Sequence, residues 1–267
     1  MATILFAGGD RRTFAAISYL KKQGFEVKTY ALTHRSPVDG RGVSAMVLPY
    51  PCLKQGKLNA PMLQDPPTLE EVIAKTGIDV TVPVLGGPIP NNPFPHYTDL
   101  SLREDLKLRN GVTTAEGAVE LLMKSSDRAV FGTKCLVVGF GAIGSHLAHI
   151  LRGMGADVTV AVRKEEVRTK AMLTGYGVMD TKSLCLEGFH AIFNTVPHPL
   201  ITDGVLKTSP PDALFFELAS FPYGIDRAAA EKQCRRVIEG FALPGKVAPV
   251  TAGEDLAKTV ICILQTL

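Results

Sequence analysis

A glycine-rich turn in the middle of the chain constrains its fold more than any other feature. Six consecutive residues follow the pattern G-x-G-x-x-G: Gly139, Phe140, Gly141, Ala142, Ile143 and Gly144. They come after a short apolar segment, Lys134–Val138, and before an apolar helical pattern. In this context the first glycine permits a tight turn, the second lets a pyrophosphate approach, and the third lets helix and strand pack closely. Because N–H groups at a helix start bind anions, the turn predicts a dinucleotide-binding Rossmann domain; a tight turn that binds nothing is the alternative.

The end of the next predicted strand indicates which dinucleotide is bound. Selectivity for NAD usually comes from an acidic residue about 20 residues on, which binds the ribose 2′-hydroxyl. Here the strand Val158–Val162 is followed by Arg163 and Lys164, whose cationic groups can pair with a 2′-phosphate. We therefore expect NADP(H). The alternative is that Arg163 is solvated and that Glu165 or Glu166 reaches the hydroxyl.

Two other predicted strands, Ala191–Val196 and Leu214–Leu218, end at the same edge of the parallel sheet. Ligands of doubly wound sheets bind outside the carboxyl ends of the strands. Five residues at these ends are predicted to line the nicotinamide pocket: Thr195, Val196, Pro197, Ala219 and Ser220. Each of them would also be ordinary in a loop after a buried strand. Hydride transfer needs mainly orientation and exclusion of water, so no catalytic triad is expected.

The composition excludes several classes of protein. Hydrophobic residues make up 46% and charged residues 21% of 267 residues, which rules out disorder as the main state. A net charge of only +3 and the absence of tryptophan argue against a nucleic-acid surface. The five scattered cysteines predict reduced, buried thiols in a cytosolic protein. No basic leader is present and no apolar run approaches the roughly 20 residues of a membrane span, so we expect a soluble, cytoplasmic protein.

No spacing of potential ligands indicates a metal site. His146 and His149 lie three residues apart on the helix after the glycines, but no third ligand is apparent. A packed or half-exposed histidine is the expected state of such a residue.

Alternating strand-like and helix-like segments predict two α/β domains with parallel sheets. We expect a flavodoxin-like domain over residues 1–112 and a Rossmann domain over 113–250, with the cofactor in the cleft. Thr113–Glu116 is predicted to open a linking helix, and residues 251–267 a helix that packs back on the first domain. Four segments are predicted strands of the first domain: Thr3–Ala7, Phe25–Leu32, Val43–Leu48 and Ile78–Leu85. The proline-rich residues 83–95 are predicted to form an irregular surface loop, as a rigid connector or as a cleft wall.

Several blocks, in this order, resemble the A subunits of the dipicolinate synthases of spore-forming bacteria. The blocks are Gly8–Arg11, Thr114–Ala118, Gly139–Gly144, Ala161–Arg163, Asn194–Pro197, Glu217–Ser220, Leu243–Pro249 and Thr251–Gly253. Glu217 stands where aspartate is common in that family. His198-Pro199 and the proline-rich loop Pro88–Pro95 are not matched to a family feature, which leaves details of the substrate open.

The resemblance implies a reaction and a partner. The family forms pyridine-2,6-dicarboxylate from dihydrodipicolinate: a hydride passes to NADP and a proton leaves, so that the ring becomes aromatic. It works with a second, flavoprotein-like B subunit, in the cytoplasm of the sporulating mother cell. An assembly of several copies of the chain is compatible with it. A hydroxy-acid or amino-acid dehydrogenase is an alternative, although it would need an arginine and a His–carboxylate pair. A non-catalytic NADP-binding protein is another.

A dicarboxylate needs two anion sites. The turn Gly8-Gly9-Asp10-Arg11 is predicted to hold one carboxylate through helix-start amides and Arg11, and Lys246 the other. His198 is the candidate for proton removal, because histidine exchanges protons near neutral pH. Glu116 is a candidate cleft-facing carboxylate or a cap partner. A solvated loop, a surface lysine and a structural histidine are the alternatives. His198, Lys246 and Arg11 are thus the predicted catalytic residues.

Overall fold

The computed structural model describes residues 2–266 and divides them into two compact units. Unit 1 comprises the chain up to Arg109 together with the chain from Ala248, and unit 2 comprises Asn110–Val247. Met1 and Leu267, which the predicted first and last segments include, lie outside the described residues. Both units are built on parallel sheets, so the predicted fold class is confirmed.

The strands are short and mostly buried. They are Thr3–Ala7 (β1), Glu26–Tyr30 (β2), Ala45–Val47 (β3), Leu53–Lys54 (β4), Lys57–Leu58 (β5), Val84–Gly86 (β6), Tyr97–Asp99 (β7), Lys134–Val138 (β8), Asp157–Val162 (β9), Gly177–Asp180 (β10), Ala191–Asn194 (β11), Leu214–Glu217 (β12) and Arg236–Glu239 (β13).

The helices connect and cover the strands. They are Arg11–Lys22 (α1), Leu69–Thr76 (α2), Glu104–Ser125 (α3), Ala142–Gly153 (α4), Glu165–Leu173 (α5), Asp203–Leu206 (α6), Arg227–Lys232 (α7), Leu243–Val247 (α8) and Pro249–Leu264 (α9), with single 3-10 turns at Leu100–Leu102 and Thr181–Ser183.

Unit 1 contains a five-stranded parallel sheet in the order β2-β1-β3-β6-β7. With the small β4–β5 hairpin set aside, this is the flavodoxin-like order 2-1-3-4-5. Alternate residues of β1 face opposite sides, as strand geometry requires. Leu5 packs on the side that contains Val72 of α2, and Ile4 packs on the side that contains Leu20 of α1 and Val260 of α9.

Unit 2 contains a six-stranded parallel sheet in the order β10-β9-β8-β11-β12-β13. This is the Rossmann order 3-2-1-4-5-6, whose direction of winding reverses between the first and fourth strands. The corresponding strands here are β8 and β11, which pair from Ala191↔Cys135 to Asn194↔Val138. The carboxyl ends of β8, β11 and β12 therefore lie side by side, and ligands of such sheets bind there.

The helix predicted to open at Thr113 begins nine residues earlier, at Glu104. The prediction was wrong because the Thr-Thr-Ala-Glu sequence resembles a capping motif. In the structure the hydroxyls of Thr113 and Thr114 both donate to the carbonyl of Asn110, one turn back in the same helix. The acidic residues of the first turn are instead Glu104 and Asp105, where the helix dipole favours negative charge.

The segment around Pro83 also differs from its prediction. Only Val84–Gly86 of the predicted strand 78–85 is extended, and this β6 is a buried, central strand within the segment predicted to be irregular. Proline excludes a residue only as a hydrogen-bond donor, and Pro83 precedes β6 and accepts from Met46 through its carbonyl. The sequence analysis did not predict β7, β10 or the short α8.

Three of the five cysteines are exposed, contrary to the expectation of buried thiols. Cys185, Cys234 and Cys262 lie at the surface, and only Cys52 and Cys135 are buried. Burial raises the pKa of Cys135, which lies in β8, to about 12. This thiol is therefore a small apolar core residue at neutral pH.

Candidate functional site

The glycine-rich turn joins β8 to α4, and its three glycines meet different surroundings. Gly139 has a φ of +99°, and a Cβ there would lie 2.8 Å from Val196 Cγ2. A Cβ on Gly144 would collide with the carbonyl of Gly139. Gly141 has a φ of −85°, and a Cβ on it would meet nothing within 4 Å. The fold thus requires glycine at Gly139 and Gly144, whereas the space before Gly141 is open and fits a ligand that approaches the backbone.

The start of α4 offers free backbone donors. No side chain within residues 2–266 caps this helix, whose N-cap is Gly141. The first four N–H groups of a helix have no partner inside it, and they carry the positive end of the dipole. The start of α1 is different, because the side chain of Asp10 accepts from the N–H of Arg12 at 3.0 Å. Of these two helix starts that follow a Gly-containing turn, α4 is therefore the one suited to a phosphate.

Neighbouring residues fix the shape of the turn. Thr195 uses both its donors on the carbonyl of Val138, at 3.0 Å from N and 2.8 Å from Oγ1. The N–H of Gly139 donates to the carbonyl of Ala161 at 2.8 Å. The ring of Phe140 packs edge-on against Tyr176, with centroids 5.6 Å apart. Thr195 and Phe140, both predicted to bind the cofactor, thus hold the turn with their side chains.

Helix α3 passes close to the turn, which the sequence analysis did not predict. A Cβ on Gly111 would lie 2.6 Å from the carbonyl oxygen of Ala142, the first residue of α4. Farther along α3, a Cβ on Gly117 would lie 2.9 Å from Cβ of Leu243 in α8. The spacing of these two glycines was a signal for close packing of a helix, but it indicates no particular partner.

A buried carboxylate joins the ends of β11 and β12. Glu217 is 0% exposed, and its Oε1 accepts from Asn194 Nδ2 at 2.7 Å and from the N–H of Ala219 at 3.1 Å. Its Oε2 accepts from the N–H groups of Gly224 and Ile225, both at 2.9 Å. Sequence analysis identified Glu217 only as part of a family block and missed this role, because its four donors are main-chain and amide groups without a sequence signature.

The amide of Asn194 shapes the segment after β11. Its Nδ2 also donates to the carbonyl of Val196 at 2.9 Å, and its Oδ1 accepts from the N–H of the same residue at 3.3 Å. Of the five predicted nicotinamide-pocket residues, Pro197 and Ser220 are exposed, Thr195 and Val196 are half-buried, and Ala219 is buried. They lie on the two neighbouring strand ends, as predicted; their contact with a cofactor stays a prediction.

The residues after β9 carry positive charge. Arg163 and Lys164 are exposed, and Arg163 forms no ion pair with any described residue. Glu165 is 3.1 Å from the guanidinium of Arg168, and Glu166 is 4.0 Å from Lys164 Nζ. The acid that would compete for a ribose hydroxyl is therefore engaged, and Arg163 is available to an anion.

The predicted substrate turn in unit 1 needs a correction. The N–H groups of Gly8 and Gly9 donate to the carbonyls of Tyr30 and Asn59, so they cannot bind a carboxylate. Asp10 caps α1 and pairs with Arg12 at 2.8 Å. Burial alone would raise the pKa of Asp10, but the hydrogen bonds and charge of Arg12 hold it below its ordinary value. Arg11 is exposed, and its substrate role stays a prediction.

The other predicted site residues lie in unit 2. His198 is exposed in the segment after β11, where its N–H donates to the carbonyl of Val196 at 2.9 Å. Lys246 is exposed on α8, which follows β13. Glu116 is exposed in the middle of α3, so it is neither at a helix start nor a cap partner. The catalytic roles of His198 and Lys246 stay predictions.

Two searches of residues 2–266 returned no site. No group of three or more His, Cys, Asp and Glu side chains in this range is placed to hold a metal ion. No helix in this range combines the length and the apolar character needed to cross a membrane.

Comparison with known proteins identifies the kind of domain. Residues 108–219 match the family of the D-isomer specific 2-hydroxyacid dehydrogenases, NAD binding domain. This match covers the glycine turn, the Arg163 segment and the ends of β11 and β12. Unit 2 therefore carries a nicotinamide dinucleotide-binding domain of the dehydrogenase type, and an oxidoreductase is the activity that it supports.

Full-length similarity is more specific. The crystal structure of the dipicolinate synthase A subunit from Bacillus halodurans superposes with a TM-score of 0.88 at 26% identity, over 98% of this chain and 97% of that one. The chain resembles the A subunits of dipicolinate synthases. The same-named protein of Bacillus subtilis (strain 168) is 31% identical over 167 residues, which are 62% of this chain and 56% of that protein. The crystal structure of that synthase's A subunit from Bacillus subtilis has the same fold, with a TM-score of 0.86 at 23% identity. The predicted resemblance is thus confirmed.

Proposed function

We propose that this chain oxidises dihydrodipicolinate to dipicolinate with NADP, as the A subunit of a dipicolinate synthase. The observation that supports the proposal most directly is the combination of an uncapped helix start behind Gly141 with the resemblance to a dipicolinate synthase A subunit over nearly the whole fold. The relative's name supplies the substrate; the geometry of unit 2 supplies the cofactor site.

The cofactor is NADP rather than NAD. The amides at the start of α4 bind the pyrophosphate, and Arg163 and Lys164 pair with the 2′-phosphate. The guanidinium of Arg163 has no competing acid in the described chain, whereas Glu165 is paired with Arg168. When bound, the oxidised nicotinamide accepts a hydride.

The chain's own residues have a limited chemical task. Dihydrodipicolinate loses one hydride and one proton, and its ring becomes aromatic, which supplies much of the driving force. The protein orients the ring and excludes water. Lys246 and Arg11 bind the two carboxylates as cations, and His198 accepts the proton.

Assembly and location follow the same resemblance. The chain acts with a flavoprotein-like B subunit, in the cytoplasm of a sporulating mother cell. The structure contains no partner chain, so this part of the proposal depends on the relative's name alone.

Turnover with a defined substrate tests the proposal. The purified chain is mixed with NADP⁺ and freshly made dihydrodipicolinate, with and without the B subunit, and the ultraviolet absorbance of the pyridine product is followed together with NADPH. Appearance of both in equal amounts is expected. Cofactor binding without turnover, in either arm, would instead identify a non-catalytic cofactor-binding protein.

A 2-hydroxyacid dehydrogenase is the second candidate, because residues 108–219 match that family. A panel of 2-hydroxy acids and amino acids with NAD⁺ and NADP⁺ tests it in the same assay. Faster reduction of the cofactor with a member of this panel than with dihydrodipicolinate would favour the second candidate.

A further inference from the structure

Glu217 is a negative charge without a positive partner. It is fully buried, and its four hydrogen-bond donors are three main-chain N–H groups and the neutral amide of Asn194. No lysine, arginine or histidine forms an ion pair with it among residues 2–266. Buried charges in proteins are usually paired with an opposite charge, because desolvation is costly. This carboxylate is stabilised by dipoles alone, so its charge is not cancelled by a neighbouring cation.

The hydrogen bonds require a carboxylate and not its amide analogue. Each oxygen of Glu217 accepts two N–H groups, so all four contacts come from donors. A glutamine would turn its own NH₂ group toward two of these donors and leave them unsatisfied. An aspartate would keep the charge but shorten the side chain by one methylene. The site therefore selects for negative charge at this position.

The position of this charge gives it a functional meaning. Glu217 ends β12, and its partner Asn194 ends the neighbouring β11. Through Asn194 and Ala219 it holds the two segments, Thr195–Pro197 and Ala219–Ser220, that we assign to the nicotinamide pocket. The oxidised nicotinamide ring carries a positive charge, and the reduced ring is neutral.

We propose that Glu217 makes the site prefer the oxidised cofactor over the reduced one. The inference rests on the proposed position of the nicotinamide. A single negative charge at about 10 Å, acting through an effective dielectric near 20, changes binding of a cation by about tenfold. Such a preference suits an enzyme that must bind oxidised cofactor and release the reduced product.

The test compares two variants that separate charge from shape. Glu217→Gln keeps the length and removes the charge, whereas Glu217→Asp keeps the charge and loses reach. Dissociation constants of the whole chain for NADP⁺ and NADPH are measured by calorimetry, and for NAD⁺ and NADH as well, with thermal unfolding recorded for each variant. Neither measurement needs substrate.

The ratio of the two constants carries the result. We expect Glu217→Gln to lose about tenfold in preference for the oxidised form, and Glu217→Asp to retain the preference even if both forms bind more weakly. An equal loss for both forms in Glu217→Gln would show a structural role only and would overturn the proposal.

The unmodified protein provides a test that does not depend on the folding of a variant. It should bind the oxidised cofactor more tightly than the reduced one, and the reverse order would overturn the proposal. A chain that binds cofactor with this preference but does not oxidise dihydrodipicolinate would refute the proposed function while leaving this inference standing.

Discussion

At the scale of single residues, the site depends on what each glycine and each charge must accommodate. Gly139 and Gly144 are required by the protein's own atoms, whereas Gly141 faces open space. A similar distinction separates Glu165, which is paired within the chain, from Arg163, which is not. Residues that are free of internal contacts but conformationally or electrically specialised are the ones that a ligand would use.

Substitution of Gly141 by alanine should separate binding from stability. The added Cβ meets no protein atom, so the unfolding temperature should stay near that of the unmodified protein, while dinucleotide affinity falls at least tenfold. Gly144→Ala is the matched control: its Cβ would collide with a carbonyl, and stability should fall by about 2 kcal/mol. Calorimetric titration and thermal unfolding measure the two effects. Unchanged affinity in Gly141→Ala would contradict the assigned pyrophosphate position.

Arg163→Asp should reverse the preference between the two dinucleotides. We expect weaker binding of NADP⁺, by roughly tenfold for one lost charge-assisted contact, and relatively improved binding of NAD⁺. The control is Lys170→Asp, an exposed charge reversal on the neighbouring α5, which should leave the ratio unchanged. If Arg163→Asp left the ratio of the two affinities unaltered, the 2′-phosphate assignment would be wrong.

At the scale of elements, the sequence was sufficient where a period or a turn specifies the structure. The strand–turn–helix over 134–153 was predicted because its glycines and apolar residues have a local meaning. The start of α3 was missed, since its first turns are polar and carry no apolar period, and Thr113 resembles a cap. The Glu217 contacts were missed because they depend on which strands are neighbours in the sheet, and that is decided by long-range packing.

Helix α3 should influence the dinucleotide site through its contact with α4. Gly111→Ala would place a Cβ 2.6 Å from the carbonyl oxygen of Ala142, so that α3 and the start of α4 must move apart. We expect lower stability, by about 1–3 kcal/mol, and weaker dinucleotide binding. Gly153→Ala, at the other end of α4, meets nothing within 4 Å and should be neutral or slightly stabilising. Dinucleotide affinity equal to the unmodified protein in Gly111→Ala would disprove the coupling.

At the scale of the whole molecule, the chain leaves unit 1 along α3, builds all of unit 2, and returns to unit 1 as α9. Ala257, Val260 and Ile263 of α9 are buried against the side of the sheet that contains Ile4 and Phe6. Unit 1 is thus completed by residues that are far from it in sequence. The predicted helix over 251–267 had the amphipathic pattern for this packing, but the pattern alone does not name the surface that it covers.

A buried charge in α9 should therefore destabilise unit 1 selectively. Val260→Asp places a carboxylate at a position that is 0% exposed and should cost about 3 kcal/mol or more. Val250→Asp introduces the same change in the same helix at a position that is 62% exposed, and should be nearly neutral. Hydrogen exchange is expected to accelerate in β1 and α1 of Val260→Asp, but not in β8. Equal acceleration in both units would contradict their independence.

The return of α9 has a consequence for biosynthesis. As the ribosome makes the chain, every strand of the first sheet emerges early, but the helix that shields Ile4 and Phe6 is translated only after the entire second sheet. Domains generally fold as units during translation, so residues 110–247 can mature while the earlier part is still waiting for its cover. The nascent N-terminal half is then the stage at which chaperones have most apolar surface to recognise.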